Sequence, residues 1–190
     1  MTQFKNDIEA CLEVLNNGGT ILYPTDTIWG IGCDATNEVA AEKIYSLKRR
    51  VSKRNMIILL AEEKDILSYT TQPDLKVFDY IKGIKKPVTV IYEGATGLAN
   101  NIINEDGTIG IRIVKDPFCK ILIKEFGKPL VSTSANISSF PPPQVFNDID
   151  VAIKSGVDYL VQHRQDDLYI AEPSAIIRWN KNETPTIIRK

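Results

Sequence analysis

The chain has 190 residues, with 23 Lys and Arg against 24 Asp and Glu, and a formal net charge of −1. Its composition, 43% hydrophobic and 25% charged, is typical of one globular domain over residues 1–190, which can build a full core without metal or disulfide staples. The near-zero charge excludes a general attraction to nucleic acid, so RNA or another polyanion would need a local basic patch.

The cysteines and the apolar runs indicate the compartment. Cys11, Cys33 and Cys119 are widely separated and form no C-x-x-C pair, which predicts reduced and mostly buried thiols. The first residues lack an apolar signal core, and the longest apolar run, residues 56–61, is far shorter than the ~20 residues that span a membrane. We therefore expect a cytoplasmic protein with no membrane partner.

Periodicity predicts an alternation of helices and strands. Residues 4–15 have helical spacing and end at the glycine pair 18–19, residues 20–23 form a strand, and residues 24–35 form a loop. Asn37 is predicted to cap a second helix, whose core side would carry Val39, Ala40, Ile44 and Leu47. The remaining predicted strands are residues 56–60, 87–92, 108–114, 130–131, 159–161, 175–179 and 186–188, and the remaining helices are 64–69, 75–81, 118–126 and 148–154. This alternation predicts an α/β domain of two or three layers with a mixed sheet.

The loop after the first strand is the first candidate site. Residues 24–32, PTDTIWGIG, combine hydroxyls, a carboxylate and two glycines, which can bring backbone N–H groups close to a ligand. The same residues suit a tight surface loop in which Asp26 caps the backbone, and both interpretations stay open. The spacing is neither that of a Walker loop nor that of a dinucleotide fingerprint.

A basic stretch is the second candidate. Residues 48–54, KRRVSKR, place five cations in seven positions near the end of a helix. Cations there complement the helix dipole and solvate a surface, but at this density they repel one another unless an anion lies among them.

A polar stretch and a buried arginine form the third candidate. Residues 132–139, STSANISS, follow an apolar strand, and their hydroxyls suit an anion or nucleotide, although an ordinary polar turn has the same composition. Arg112 lies between Ile111 and Ile113, where an unpaired charge would be costly, so it requires either an anionic ligand or a structural ion pair. His163 is the single histidine and has no nucleophile signature around it, which favours catalysis by positioning and electrostatics.

The order of these motifs resembles that of a known family. A strand followed by P-T-D-T-x-aromatic-G-x-G, then K-x-R, T-x-x-x-R, S-x-S-A-N-x-S and a late P-S, resembles the YrdC-like domain family of threonylcarbamoyl-AMP synthases over residues 23–177. The resemblance implies a twisted mixed sheet flanked by helices around a basic concave site. It also implies an enzyme, a nucleotidyltransferase that condenses L-threonine, bicarbonate and ATP to threonylcarbamoyl adenylate and pyrophosphate. The product would pass to tRNA threonylcarbamoyl-transferase proteins for the modification of tRNA.

The resemblance also implies roles for single residues. Lys48 and Arg50 would be catalytic, binding the ATP phosphates, and both are expected to be exposed in the cleft. Further ATP-binding positions would be Arg54, Thr108, Ser132, Ser134 and Asn136, and the threonine-binding positions would be Thr27, Arg112 and Ser174. Mg²⁺ would accompany ATP, and no protein ligands for it are predicted. The chemistry agrees, because alignment of two anions favours fixed cations, hydroxyl donors and magnesium over a side-chain nucleophile.

Four positions depart from the family pattern. Trp29 stands for the usual Tyr, Asn55 for Pro, Ser139 for Gly, and Ala175 for Thr. If position 139 requires a positive φ, serine there adds strain of about 1 kcal/mol or more.

These departures keep alternatives open. The runner-up is a divergent member of the family that binds RNA or a nucleotide without synthase activity, with residues 43–54 contacting RNA phosphates in a salt-dependent way. A third alternative is a carbamoyl-adenylate domain of the hydrogenase-maturation type.

Overall fold

The computed structural model describes residues 4–49, 56–71, 73–180 and 183–190. In chain order, the helices and strands within these ranges are α1 (Lys5–Asn16), β1 (Ile21–Tyr23), β2 (Gly30–Gly32), α2 (Glu38–Leu47), β3 (Ile57–Leu60), α3 (Val77–Ile81), β4 (Val88–Tyr92), β5 (Ile109–Ile113), α4 (Pro117–Phe126), β6 (Leu130–Ser134), α5 (Val151–Gly156), β7 (Tyr159–Leu160), β8 (Ala175–Trp179) and β9 (Pro185–Arg189). Short 3₁₀ helices occupy Glu63–Ser68, Asn100–Ile102 and Phe146–Asp148.

The strands form one mixed sheet in the order β7-β1-β2-β6-β3-β5-β4-β8-β9. The pairs β1–β7, β3–β5 and β4–β8 are parallel, and the other neighbouring pairs with a recorded register are antiparallel. Parallel neighbours require crossover connections, and at least one α-helix lies in the chain between the members of each parallel pair. The predicted α/β fold with a mixed sheet and flanking helices is confirmed.

Two apolar clusters cover opposite faces of the sheet. Leu59 of β3 packs in one cluster with residues of α1 and α4, while its neighbours Ile58 and Leu60 pack in the other with residues of α2 and α5. Because successive strand residues point to opposite faces, the domain has three layers: helices, sheet and helices.

Capping residues define the helix ends as the sequence predicted. The side chain of Asn37 accepts a hydrogen bond from the backbone N–H of Ala40 at 3.0 Å, which caps α2. Gly18 follows α1 and Gly127 ends α4, both in the left-handed region, with φ of +70° and +71°.

Three details of the prediction are wrong. Residues 30–32, predicted as loop, form β2, because pairing with β1 and β6 overrides the low strand preference of glycine. Val39 was predicted on the core side of α2 but is 71% exposed, because Ala40, Ala41 and Ile44 form the buried face. The predicted helix over residues 64–69 is a 3₁₀ helix, Glu63–Ser68.

The cysteines are buried and unpaired, as predicted. Burial raises the pKa of all three thiols above the usual range. None of the helices in the described ranges is long and apolar enough to cross a membrane.

Candidate functional site

A cavity of about 770 Å³ opens on the face of the sheet that α1 and α4 partly cover. Leu59 lies in the cluster beneath these helices, whereas Ile57, two residues earlier on the same face, lines the cavity. The cavity therefore occupies the part of this face that the helices leave open. In the floor of the cavity, Gly110 of β5 pairs with Ile57 of β3. A Cβ at Gly110 would lie 2.9 Å from Ile57 Cγ2, so the absence of a side chain at this position leaves space for the cavity.

The cavity wall is cationic. Among the described residues its charged side chains are Lys48, Arg49, Arg112 and Arg189, and that part of the wall contains no Asp or Glu. The apolar part of the lining comprises Ile28, Trp29, Met56, Ile57, Ile91, Ile176 and Ile188. A concave wall with cations on one part and apolar side chains on another suits a ligand that combines anionic groups with a flat or apolar group.

Lys48, at the end of α2, is buried, so its predicted exposure in the cleft is wrong. The side chain donates hydrogen bonds from Nζ to the carbonyl oxygens of Ser134 at 2.5 Å and Asn136 at 2.6 Å. The backbone carbonyl of Lys48 accepts a bond from the N–H of Ser138 at 2.9 Å. Lys48 therefore links the end of α2 to the end of β6 and to the loop that follows it.

The loop after β6 has a constrained backbone. Ser139 has a φ of +71°, which confirms that this position requires the conformation favoured by glycine. The amide of Asn136 donates from Nδ2 to the carbonyl oxygens of Ile137 at 2.9 Å and Phe140 at 2.7 Å. Its Oδ1 is buried and has no hydrogen-bond partner within the described part of the chain, although Asn136 as a residue lines the cavity.

Arg112, in the middle of β5, makes a buried ion pair with Asp26. The Nη2 atom lies 3.2 Å from Asp26 Oδ1, and the side chains of Arg112 and Asp26 are 4% and 10% exposed. Asp26 Oδ2 also accepts a bond from the backbone N–H of Lys115 at 3.2 Å, so Asp26 is both an ion-pair partner and a backbone acceptor. Arg112 lines the cavity and Asp26 does not. The guanidinium thus contacts a protein carboxylate while it remains part of the cavity wall.

Ser174 connects β4, β8 and β9 at the same end of the cavity. Its hydroxyl lies 2.8 Å from the hydroxyl of Thr89, and its carbonyl accepts a bond from Arg189 Nε at 3.0 Å. Partial burial of the Arg189 guanidinium, which removes hydrating water, and the nearby positive charge of Arg112 both lower the pKa of Arg189. Two guanidinium groups therefore repel each other here, and an anion between them would relieve the repulsion.

The loop before β2 is ordered by its own hydroxyls. Thr25 Oγ1 donates to the carbonyl of Ile28 at 2.9 Å and accepts from the backbone N–H of Thr27 at 2.9 Å. Trp29 packs on Phe146 with ring centroids 4.9 Å apart. The hydroxyl of Thr27 is thereby held at the cavity wall.

The structure brings most of the predicted site residues together. The predicted residues that line the cavity are Thr27, Lys48, Arg112, Ser132, Ser134, Asn136 and Ser174. Thr108 lies just before β5 but is not part of the lining, and its hydroxyl donates to Asp106 Oδ1 at 2.6 Å. Arg50 and Arg54, and the departure at Asn55, lie outside the described residues.

Three polar residues of the cavity lining were not predicted from the sequence: Thr89, Asn104 and Arg189. Thr89 reads as an ordinary strand residue, and Arg189 is the last residue of the final strand, far in sequence from every motif. Arg189 reaches the site only because β9 folds back on β8, so no local pattern could have found it.

The donor set at this site does not fit a protein-bound metal. No group of three or more His, Cys, Asp or Glu side chains that could hold a metal ion occurs among the residues the structure describes. Mg²⁺ prefers carboxylate and phosphate oxygens, and the described wall offers no carboxylate. The described wall therefore supplies hydroxyl and amide oxygens to a metal but no charged oxygen.

Fold and site together define an α/β protein with a cavity lined by cations on an open sheet face. The family model described as telomere recombination, Sua5/YciO/YrdC, matches residues 13–190. The chain belongs to this family, which confirms the resemblance found in the sequence.

Two curated relatives with the same name match most of the chain. The chain is 30% identical over 168 residues to a threonylcarbamoyl-AMP synthase of Idiomarina loihiensis, covering 87% of this chain and 89% of the relative. It is 32% identical over 137 residues to a threonylcarbamoyl-AMP synthase of Pseudoalteromonas translucida, covering 70% and 73%.

Solved structures show the same fold. YciO of E. coli has a TM-score of 0.82 at 22% identity and covers 97% of this chain and 89% of its own. Sua5 of P. abyssi complexed with L-threonine has a TM-score of 0.82 at 19% identity, covering 96% of this chain and 53% of its own. The second match places this fold in one half of a longer protein.

Proposed function

We propose that this protein is a threonylcarbamoyl-AMP synthase, a nucleotidyltransferase that forms threonylcarbamoyl adenylate and pyrophosphate from L-threonine, bicarbonate and ATP. The observation that carries the proposal is the cationic cavity, whose described wall has no carboxylate, in a chain that matches relatives named for this activity. Both substrates of the central step, ATP and the carboxylated amino acid, are anions.

The reaction needs no protein nucleophile. The amine of threonine first takes up the carbon of bicarbonate with loss of water, which gives a carbamate. A carbamate oxygen then attacks the α-phosphorus of ATP, a new O–P bond forms, and the bond to the β-phosphate oxygen breaks to release pyrophosphate. The protein must hold two anions in line and offset their repulsion.

We assign threonine to the part of the cavity that is lined by Arg112, Arg189 and Ser174. Arg112 would bind the threonine carboxylate through its planar fork, and Ser174 and Thr27 would supply hydroxyl contacts. Ser174 is held between Thr89 and Arg189, so it is fixed before a ligand arrives.

We assign the nucleotide to the end of β6 and the loop that follows it. Ser132, Ser134 and Asn136 would contact ATP, and Lys48 would act by fixing this loop through the two carbonyls it binds. The roles of Arg50, Arg54 and Thr108 toward ATP stay predictions from the resemblance. Mg²⁺ would enter as the magnesium complex of ATP, and the product would pass to tRNA threonylcarbamoyl-transferase proteins.

The test is pyrophosphate release from ATP with Mg²⁺, bicarbonate and L-threonine, with each component omitted in turn and serine added as a competitor. Release that requires both bicarbonate and threonine, and stops when EDTA removes Mg²⁺, is the expected result. ATP binding without threonine-dependent release would contradict the proposal. Salt-dependent RNA binding in that case would indicate the divergent, non-synthase alternative.

A further inference from the structure

The ion pair beneath the cavity is incomplete. Asp26 Oδ1 lies 3.2 Å from Arg112 Nη2 but accepts no hydrogen bond of good geometry, and Arg112 Nε has no hydrogen-bond partner in the described part of the chain. Both side chains are almost fully buried, and an unpaired donor on a buried guanidinium is costly. The position of the guanidinium therefore depends on the charge of Asp26 rather than on a full set of hydrogen bonds, although Arg112 forms part of the cavity wall.

Asp26 is itself held firmly. Its Oδ2 accepts from the backbone N–H of Lys115, at the end of the strand that carries Arg112. Arg164 Nη1 bridges the carbonyl of Thr25 and the carboxylate of Asp116, each at 3.2 Å. The backbone on both sides of the ion pair is therefore fixed, and the carboxylate has a defined position relative to the guanidinium.

We propose that Asp26 is a positioning residue for amino-acid recognition: its carboxylate orients the guanidinium of Arg112 so that the part of it on the cavity wall faces the substrate carboxylate. This inference rests on the proposed function. A guanidinium with several rotatable bonds and a neighbouring like charge at Arg189 would otherwise adopt other orientations. Preorganisation of this kind raises affinity, because the conformational entropy of the Arg112 side chain is lost on folding and not on ligand binding.

The test begins with Asp26→Asn, which keeps the shape and the acceptor for Lys115 but removes the charge. We expect the KM for threonine to rise about tenfold or more, while the KM for ATP stays within about twofold. A threonine KM that is unchanged or lower contradicts the proposal, and so does an equal rise in both KM values. A merely structural role would lower the melting temperature without this split between substrates.

A double-mutant cycle tests whether Asp26 acts through Arg112. Arg112→Met is expected to raise the threonine KM, and D26N combined with R112M is expected to raise it no further. This pair of variants also decides the matter if D26N alone does not fold, because the double variant buries no unpaired charge. A threonine KM clearly higher in the double variant than in R112M would overturn the inference.

Asp34→Asn is the matched control. Asp34 is another buried carboxylate in an ion pair, 2.6 Å from Lys128 Nζ, and it does not line the cavity. D34N is expected to lower the melting temperature and leave the threonine KM unchanged.

Calorimetric titration of the wild-type protein with threonine separates the two possible failures. Binding without turnover overturns the synthase proposal alone, and the affinities of the variants then decide the role of Asp26. If the wild-type protein turns over and D26N has an unchanged KM for threonine, only the role of Asp26 is overturned. If the wild-type protein shows no threonine binding and no turnover, both the synthase proposal and the role of Asp26 are overturned.

Discussion

Replacement of Lys48 by Met tests the most consequential difference between sequence and structure. Lys48→Met keeps the length of the side chain and removes the ammonium that binds the carbonyls of Ser134 and Asn136. A buried carbonyl without a partner costs about 1–3 kcal/mol, and since these two are only partly buried we expect a total loss of about 2–4 kcal/mol of unfolding free energy.

Thermal unfolding by circular dichroism measures this loss. In a protein of this size each kcal/mol lowers the Tm by about 2–4 °C, so K48M should melt at least about 4 °C below the wild type. It should also lose pyrophosphate release, because Ser134 at the end of β6 and Asn136 in the following loop are both proposed to contact ATP. Lys120→Met, on the exposed side of α4, is the control and should change stability by less than about 0.5 kcal/mol.

A K48M variant that melts within about 2 °C of the wild type would refute this reasoning. The ammonium would then contribute little to the fold, and Lys48 would act chiefly on a ligand, as the resemblance implied.

Three further predictions concern the backbone and the thiols. Ser139→Val should lower the free energy of unfolding in urea by about 1–2 kcal/mol, while Ser139→Gly should not, because φ at this position is +71°. Equal free energies of unfolding for the two variants would contradict backbone strain at this position. Gly32→Ala should cost about 1–3 kcal/mol, since its Cβ would lie 2.6 Å from the carbonyl of Val131, whereas Gly83→Ala has no heavy atom within 4 Å and should be nearly neutral by the same assay. The three cysteines should resist alkylation at pH 8 in the native protein and react fully in denaturant, because burial raises their pKa and keeps the thiols protonated; rapid labelling of the native protein would show that one is accessible.

The sequence determined the order of the elements and most of the site. Periodicity located α1 and α4, and the capping residues Asn37 and Gly127 appear where local rules require them. Such features depend on neighbours within a few residues, which a single sequence displays. The motifs also identified Arg112 and the loop of residues 132–139, because a charge in an apolar strand and a run of hydroxyls are visible locally.

Only the tertiary structure decided which of these residues line the cavity. Lys48 belongs to a basic stretch that resembles a solvated surface, yet it is buried because the loop after β6 folds over the end of α2. Asp26 lies 86 positions from Arg112 in the chain, and Arg189 is brought to the cavity by the return of β9. Contacts between distant segments follow from the register and order of the strands, which no local pattern contains.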